Sequence, residues 1–424
     1  MIRRVGALCM VVAVALLAQD AGERRKSVRA LERQGAQAIP RLAPMVSDPD
    51  LGVRIETVKA LVEIGTQYSL DPLIQATRDN DPEIQIRATD GLVNFYLPGY
   101  VRSGMTASLR RAGDKVVSRL TDTSDQVIDA FIEVRPEVAQ ALGRLVRGGS
   151  SMESRANAAR AAGILRAKAA VPDLLESVRT KDTQVLYECL IAFQKIRDRS
   201  VGPRISFLLR DLDEKVQVAA IEAAGLLYNL GALPDLRDVL SRSQSRRVRH
   251  AALTSIAMLP DPANRALLVR YLADKEAGMR SAAAEGLGRL NDPAMLAALE
   301  KGFQEEGDAS VRVSLAFALL MNGKLEVSEF SPLQFLVNSL NSAARSAAAQ
   351  ALLTEAARMP EVRRRLYPSL QQGTRDEKIG LARVMAQSGD KDTLPLLDRL
   401  THDANVDVAS EAIRALRSLR AHVE

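Results

Sequence analysis

Two stretches decide the fold: DLGVRIETVKAL, residues 50–61, and DASVRVSLAFAL, residues 308–319. In both, an acidic residue (Asp50, Asp308) stands four places before an arginine (Arg54, Arg312). Small or apolar side chains then follow at three, six and seven places: Thr57, Ala60 and Leu61 in the first stretch, Leu315, Ala318 and Leu319 in the second. Those offsets fall on one stripe of a 3.6-residue helix, so each stretch predicts a helix whose inward face is narrow and built mostly from small residues.

The stripe recurs along the chain. Arg249 is followed by Ala252, Ser255 and Ile256; Arg280 by Ala283, Gly286 and Leu287; Arg345 by Ala348, Ala351 and Leu352. In the register so fixed, weaker copies stand at Gln85, Arg155, Leu186, Gln217, Ile379 and Ala409, with a first at Arg24. Neighbouring copies lie 30 to 34 residues apart, except that Gln85 and Arg155 are separated by 70. A preceding helix in each unit is led by proline, as in Pro172 to Leu175, Pro203 to Leu209 and Pro395 to Leu397. In the first turn, proline's missing N–H costs nothing. The turn between the two helices is usually acidic, with Asp48, Asp50, Asp81, Asp182, Asp213 and Asp308 placed to cap the helix that follows.

A helix pair with an acid-x-x-x-Arg turn, an Ala-rich second helix and a proline-led first helix resembles the HEAT repeat, in the short variety also found in phycobilisome-lyase-like proteins. The resemblance covers residues from about 24 to 420 and implies an all-α, right-handed α-solenoid of about eleven or twelve helix pairs. It also implies that the turn acid and the helix arginine link adjacent repeats. Asp50, Arg54, Arg155, Arg249, Arg280, Asp308, Arg312 and Arg345 are therefore read as structural positions. Arg155 lacks the usual acid before it, and Arg249 and Arg345 follow turns of Ser and Asn; freer guanidinium groups are expected at those three. Function is not implied to the same degree, because such arrays serve as scaffolds and binding surfaces of many kinds.

Composition agrees with a repeat array. The 424 residues are 47% hydrophobic but only 4% aromatic, as thin, closely packed helix pairs require, and too apolar for a disordered chain. The balance of 58 Lys+Arg against 52 Asp+Glu is a dilute field that does not argue for nucleic acid. Positions expected to face the groove, such as Glu56, Lys59, Glu63, Asn157, Arg160, Glu188, Lys195, Glu222, Glu285, Arg289, Glu411 and Arg414, are mixed in sign, which suits protein partners.

At the N-terminus, Arg3 and Arg4 precede an apolar run from Val5 to Leu17, and polarity returns at Gln19 and Asp20. This is the plan of a secretory signal over residues 1–18, with cleavage between 15 and 21, and a periplasmic or cell-envelope location is expected. Cys9 lies inside the apolar run with Leu8 before it, which does not fit a lipid-modified cysteine. Cys189 occupies a position that sister repeats fill with alanine and is expected to be a small buried hydrophobe.

The domain reading is therefore a signal, repeats over 22–96, an inserted or diverged segment over 97–135, and a repeat array over 136–420. The segment carries Tyr96, Tyr100 and Arg102, then an amphipathic stretch whose Arg110, Arg111, Lys115 and Arg119 lie largely off its apolar face. Val127 to Val134 reads as a short strand or an extended arm. Insertions in solenoids often carry binding, so these seven residues are the candidate partner-binding set. An acidic partner or an anionic surface would suit them, and a diverged repeat is the alternative.

Catalytic signals are weak. No His-Glu pair of the deoxyhypusine hydroxylase type is present, there is no Trp, and neither a phosphate-binding loop nor a nucleophile elbow occurs. No catalytic, metal-binding or cofactor-binding residue is assigned, and no cofactor is expected. The expected function is a monomeric, non-catalytic protein-interaction scaffold. A lyase-like or enzyme-accessory protein holding a small ligand in the groove is one alternative, and an anionic-surface binder acting through 97–135 is the other.

Overall fold

The computed structural model describes residues 20–101 and 126–423. The expected export signal, and most of the segment between the two repeat blocks, lie outside them. The described residues up to Ile205, save Asp129–Phe131, form one compact unit; Asp129–Phe131 and Ser206 onward form the other. The fold is an α-solenoid, an all-α stack of helix pairs, with no strand among the described residues.

The first unit contains α1 (Ala21–Glu32), α2 (Ile39–Leu42), α3 (Leu51–Ile64), α4 (Leu70–Ala76), α5 (Pro82–Tyr96), α6 (Pro136–Gly148), α7 (Met152–Ile164), α8 (Val171–Ser177) and α9 (Thr183–Ile196). The second contains α10 (Glu214–Leu226), α11 (Leu233–Arg242), α12 (Arg246–Met258), α13 (Arg265–Tyr271), α14 (Ala277–Leu290), α15 (Leu296–Glu305) and α16 (Ala309–Met321). It continues with α17 (Pro332–Ser339), α18 (Ser346–Ala356), α19 (Pro360–Gln372), α20 (Arg375–Ser388), α21 (Leu394–Leu400) and α22 (Val406–Val423). Second helices of successive pairs stack on one another, α1 through α9 in the odd-numbered row of the first unit and α10 through α22 in the even-numbered row of the second. In the second unit, Arg414 on α22 donates to both carboxylate oxygens of Asp129 at 2.9 and 3.1 Å.

The turn chemistry fixes where each second helix starts. Asp50, Asp81, Asp182, Asp213 and Asp308 accept from backbone N–H groups of the first turn that follows, and Ser151 and Ser245 do the same. Thr374 and Glu377 form a reciprocal capping box. The repeat arginine stands fourth after its cap and reaches forward to the acid of the next turn. Arg24 binds Asp48 at 2.9 and 3.0 Å, Arg54 binds Asp79 at 2.7 Å, and Arg280 binds Glu306 at 2.8 Å. Asp50/Arg54 and Asp308/Arg312 are thus not ion pairs in themselves: the acid caps its own helix and the arginine links repeats. Asp48 is not a cap either, but Arg24's partner.

Five positions depart from this ladder. Near the C-terminus the ladder residue is Lys378, bonded to Asp403 at 2.8 Å, one place before Ile379. Arg155 donates to the Val146 carbonyl at 2.8 Å, so its guanidinium is engaged by its own first helix. The Arg249 and Arg345 side chains make no hydrogen bond or ion pair among the described residues. Arg312 meets no acid in the next turn, which offers Asn341 instead; its guanidinium lies against the Phe303 and Phe335 rings, 5.0 and 4.6 Å from their centres. The stretch around Pro203 is a run of 3-10 turn, Arg199–Arg210, rather than an α-helix; the proline stands inside the run and takes an N–H from it. The division between the two units passes through this run.

Small residues set the spacing between second helices. A Cβ added to Gly163, Gly225 or Gly288 would stand 2.8, 2.9 and 2.7 Å from the Cα of Ala192, Ser255 and Ala318, respectively. Each of these glycines is eight places after its repeat anchor, and each neighbour is six places after the next one. The pairs α7/α9, α10/α12 and α14/α16 therefore meet backbone to backbone at a recurring point. Cys189, fully buried in α9, packs as a small hydrophobe, and burial pushes its thiol up to about 12.

Candidate functional site

The period break is the place where the repeat pattern leaves two readings, an insertion or a diverged repeat, and the described contacts lie on either side of it. Helices α5 and α7 are direct neighbours in the stack. Asn157 Nδ2 donates to Asp90 Oδ1 at 3.1 Å, and both Ser150 N and Ser150 Oγ donate to Gln85 Oε1, at 2.9 and 2.8 Å. Among the described residues, no repeat is interposed between them.

The described ends of the insertion are anchored to α5, α6 and α7. Tyr96 is set edge-on against Phe95, and its hydroxyl accepts from Arg135 N at 3.1 Å. Val101 N donates to Asn94 Oδ1 at 2.9 Å, and Ile128 N to the Ile164 carbonyl at 3.0 Å. The Arg135 side chain donates to Asp71 at 2.7 Å and to Glu137 at 3.3 Å, and the bond to Asp71 chiefly raises its pKa above the ordinary arginine value. Val127 to Val134 is irregular backbone with a turn, not a strand.

These contacts correct part of the candidate set. Tyr96 and Tyr100 are each only 8% exposed, so they belong to the base of the insertion and not to a surface that a partner meets. The sequence places Tyr96 in the extra segment, whereas it is the last residue of α5 and its hydroxyl finds a partner 39 residues on. Arg102, Arg110, Arg111, Lys115 and Arg119 lie outside the described residues.

Beside the base, the second helices carry a polar patch that is mostly buried. Asp90, Asn157 and Glu188 are buried, and Arg160 Nη2 meets Glu188 Oε1 at 2.5 Å while Gln184 Nε2 donates to the same oxygen at 2.8 Å. Burial alone works against the Arg160 charge, but Glu188, through charge and hydrogen bond, more than reverses this and raises its pKa. Asp90 is not singled out by the sequence, since its partner Asn157 sits on the neighbouring repeat; Gln184 bonds within its own helix, four places before Glu188.

Similar links run along the second helices elsewhere. Arg29 meets Glu56 at 2.5 Å, and Arg383 meets Glu411 at 2.9 Å. In the second unit, Arg289 makes a fork with Glu355 at 2.9 Å through Nε and Nη2, and Ser314 Oγ donates to Glu285 at 3.0 Å. Arg289 also reaches Glu285 at 3.4 Å, so one guanidinium holds two carboxylates from α14 and α18. Burial raises the Glu285 carboxyl above its ordinary range, although Arg289 opposes that. Charges expected to line an open groove are therefore largely spent on one another between repeats. Among the described residues, no group of three or more His, Cys, Asp and Glu is placed to hold a metal ion. None of their helices is long and apolar enough to cross a membrane.

Comparison with known proteins places these repeats. The family profile for HEAT repeats matches residues 11–93, 201–276 and 233–320. The chain is 29% identical over 175 residues to phycocyanobilin lyase subunit alpha of Nostoc sp. (strain PCC 7120), a match that covers 38% of this chain and 62% of the relative's length. Among solved structures, the complex of CpcE and CpcF of phycocyanin lyase from Nostoc sp. PCC7120 matches with TM-score 0.39 and 18% identity, covering 64% of this chain and 94% of that one. Importin beta matches with TM-score 0.43 and 13% identity, covering 97% and 64%. The turn caps, the forward-reaching ladder and the profile match agree with one another: the chain carries HEAT repeats and has sequence similarity to a phycocyanobilin lyase subunit.

Proposed function

We propose that this HEAT-repeat protein is a non-catalytic, protein-binding scaffold of the bacterial cell envelope, carried there by its N-terminal segment, and that residues 97–135 form part of its partner-binding surface. The observation that carries the reading is the direct packing of α5 on α7 through Asn157–Asp90 and Ser150–Gln85. A repeat that had merely drifted would still occupy a place in the stack. A segment added to an intact stack and anchored at both ends by Tyr96, Arg135 and Ile128 is built as an attachment. The basic side chains of that segment, Arg102, Arg110, Arg111, Lys115 and Arg119, supply charge for an acidic partner surface.

The test is co-purification from envelope fractions, comparing the intact chain with one in which residues 102–125 are replaced by a Gly-Ser linker, so that the anchoring contacts of the base are kept. Partners held by the intact chain and released by the replacement are expected. The same partners returning with both proteins would sink the reading. Fractionation that leaves the chain in the cytoplasm would sink the envelope assignment alone.

A second reading follows from the 29% identity to a phycocyanobilin lyase subunit: an accessory protein that holds a small ligand for a lyase-like partner. Visible absorbance in purified material, or a spectral shift when an open-chain tetrapyrrole is added, favours it. A colourless protein that leaves the pigment spectrum unchanged counts against it.

A further inference from the structure

A second feature of the break lies away from the base of the insertion, on the turn side of the first unit. A cleft of about 370 Å³ opens there between the turn after α4 and the helix α6 with its following turn. It exists because the ladder changes character at this step. Position 85 is Gln where Arg54 stands in the preceding repeat, and the next turn is Gly148 to Ser151, with no acid. The link is remade by neutral bonds: Gln85 Oε1 accepts from Ser150, and Gln85 Nε2 donates to the Asp79 carbonyl at 2.6 Å.

Two guanidinium groups line the cleft, Arg78 from the turn and Arg144 from α6. Both residues are exposed, and neither side chain makes a hydrogen bond or ion pair among the described residues. The carboxylate that also lines it, Asp79, is already committed: it takes Arg54 Nε and Nη2 at 2.7 and 3.3 Å, and Asp81 N at 2.8 Å. Thr77 Oγ1 is likewise turned away, donating to the Ile74 carbonyl at 2.7 Å. The unspent groups are thus two cations and the Asn80 amide, over an apolar floor supplied by Ala141 and Leu145.

We propose that this cleft binds a small phosphate monoester. Two planar guanidinium groups suit an oxyanion with two negative charges and several acceptors, and the apolar floor suits a short organic group attached to it. This site is independent of the proposed partner surface, so either can fail alone.

The test is isothermal titration calorimetry of the full chain with phenyl phosphate, at ionic strength held constant with NaCl. Saturable binding is expected for the unaltered protein, weakened at least tenfold in the R78Q/R144Q double variant. A control variant, R179Q, changes an exposed arginine outside the cleft and should bind like the unaltered protein. Circular dichroism melts of all three proteins should coincide, since neither Arg78 nor Arg144 supports a structural contact. No saturable heat at 10 mM ligand, or equal weakening in R179Q, would overturn the site. Succinate binding as tightly as phenyl phosphate would overturn the phosphate assignment.

Discussion

Replacing Gly288 with alanine tests how closely the second helices approach one another. The added methyl would stand 2.7 Å from Ala318 Cα, 3.2 Å from Ala318 Cβ and 3.3 Å from Phe317 Cε1, so a backbone segment has to shift. Overpacking of this kind costs about 1–3 kcal/mol, and three contacts, one of them with backbone, place G288A in the upper half of that range. Against this, alanine in a helix interior is favoured over glycine by about 1 kcal/mol. The net expectation is a loss of about 1–2 kcal/mol. Gly302 in α15 is the control, because its added Cβ meets nothing closer than Leu315 Cδ2 at 3.4 Å, an ordinary contact. There the propensity term acts alone, and G302A should gain about 0.5–1 kcal/mol. Urea unfolding followed by circular dichroism at 222 nm reads both, and the midpoints should move in opposite directions. A G288A midpoint at or above that of the unaltered chain would refute the close approach of α14 and α16, and with it the account of the Gly163 and Gly225 pairs.

Other outcomes follow from the same contacts. R289M removes the one cation shared by Glu285 and Glu355, and, because these side chains are only partly shielded, should cost about 2–3 kcal/mol rather than the full value of a buried pair; a loss under 0.5 kcal/mol in urea unfolding would show that the clasp is idle. The Arg280 hydrogen bond holds the Glu306 carboxyl below its ordinary value of 4.5. Its contribution is therefore complete above pH 4.5 and is lost as pH falls through the lower folded value, so the stability of E306Q should fall less between pH 5 and pH 3 than that of the unaltered chain. Parallel curves would count against the pair. Cys189 should resist a thiol reagent in the native C9S protein and react fully in urea; rapid native labelling would contradict its burial.

The repeat was legible because small residues at three fixed offsets are a local signal: they show in one helix, and eleven such stretches share one register. The caps were legible for the same reason, since Asp81 or Asp213 meets N–H groups two and three places on. Links between repeats were not. The partner of Arg160 is 28 residues away and that of Arg289 is 66 away, and no pattern within a single helix announces either. The glycine eight places after the anchor escaped notice because its importance depends on the Ala or Ser of the next repeat. In the sequence, Tyr96 and Tyr100 read as docking residues because exposed aromatics near a basic stretch suit binding; only the fold reveals that they are buried in the base. Lys378 was missed because the register near the C-terminus was set on Ile379, a neighbour that fits the apolar rule.

The claim that residues 97–135 are a binding attachment on an intact repeat stack is tested most directly by quantitative co-purification from envelope fractions. The account predicts a protein partner near stoichiometric with the intact chain and absent when residues 102–125 are replaced by a linker, with unfolding by urea unchanged between the two proteins. Recovery of the same partner in equal amount from both would contradict it.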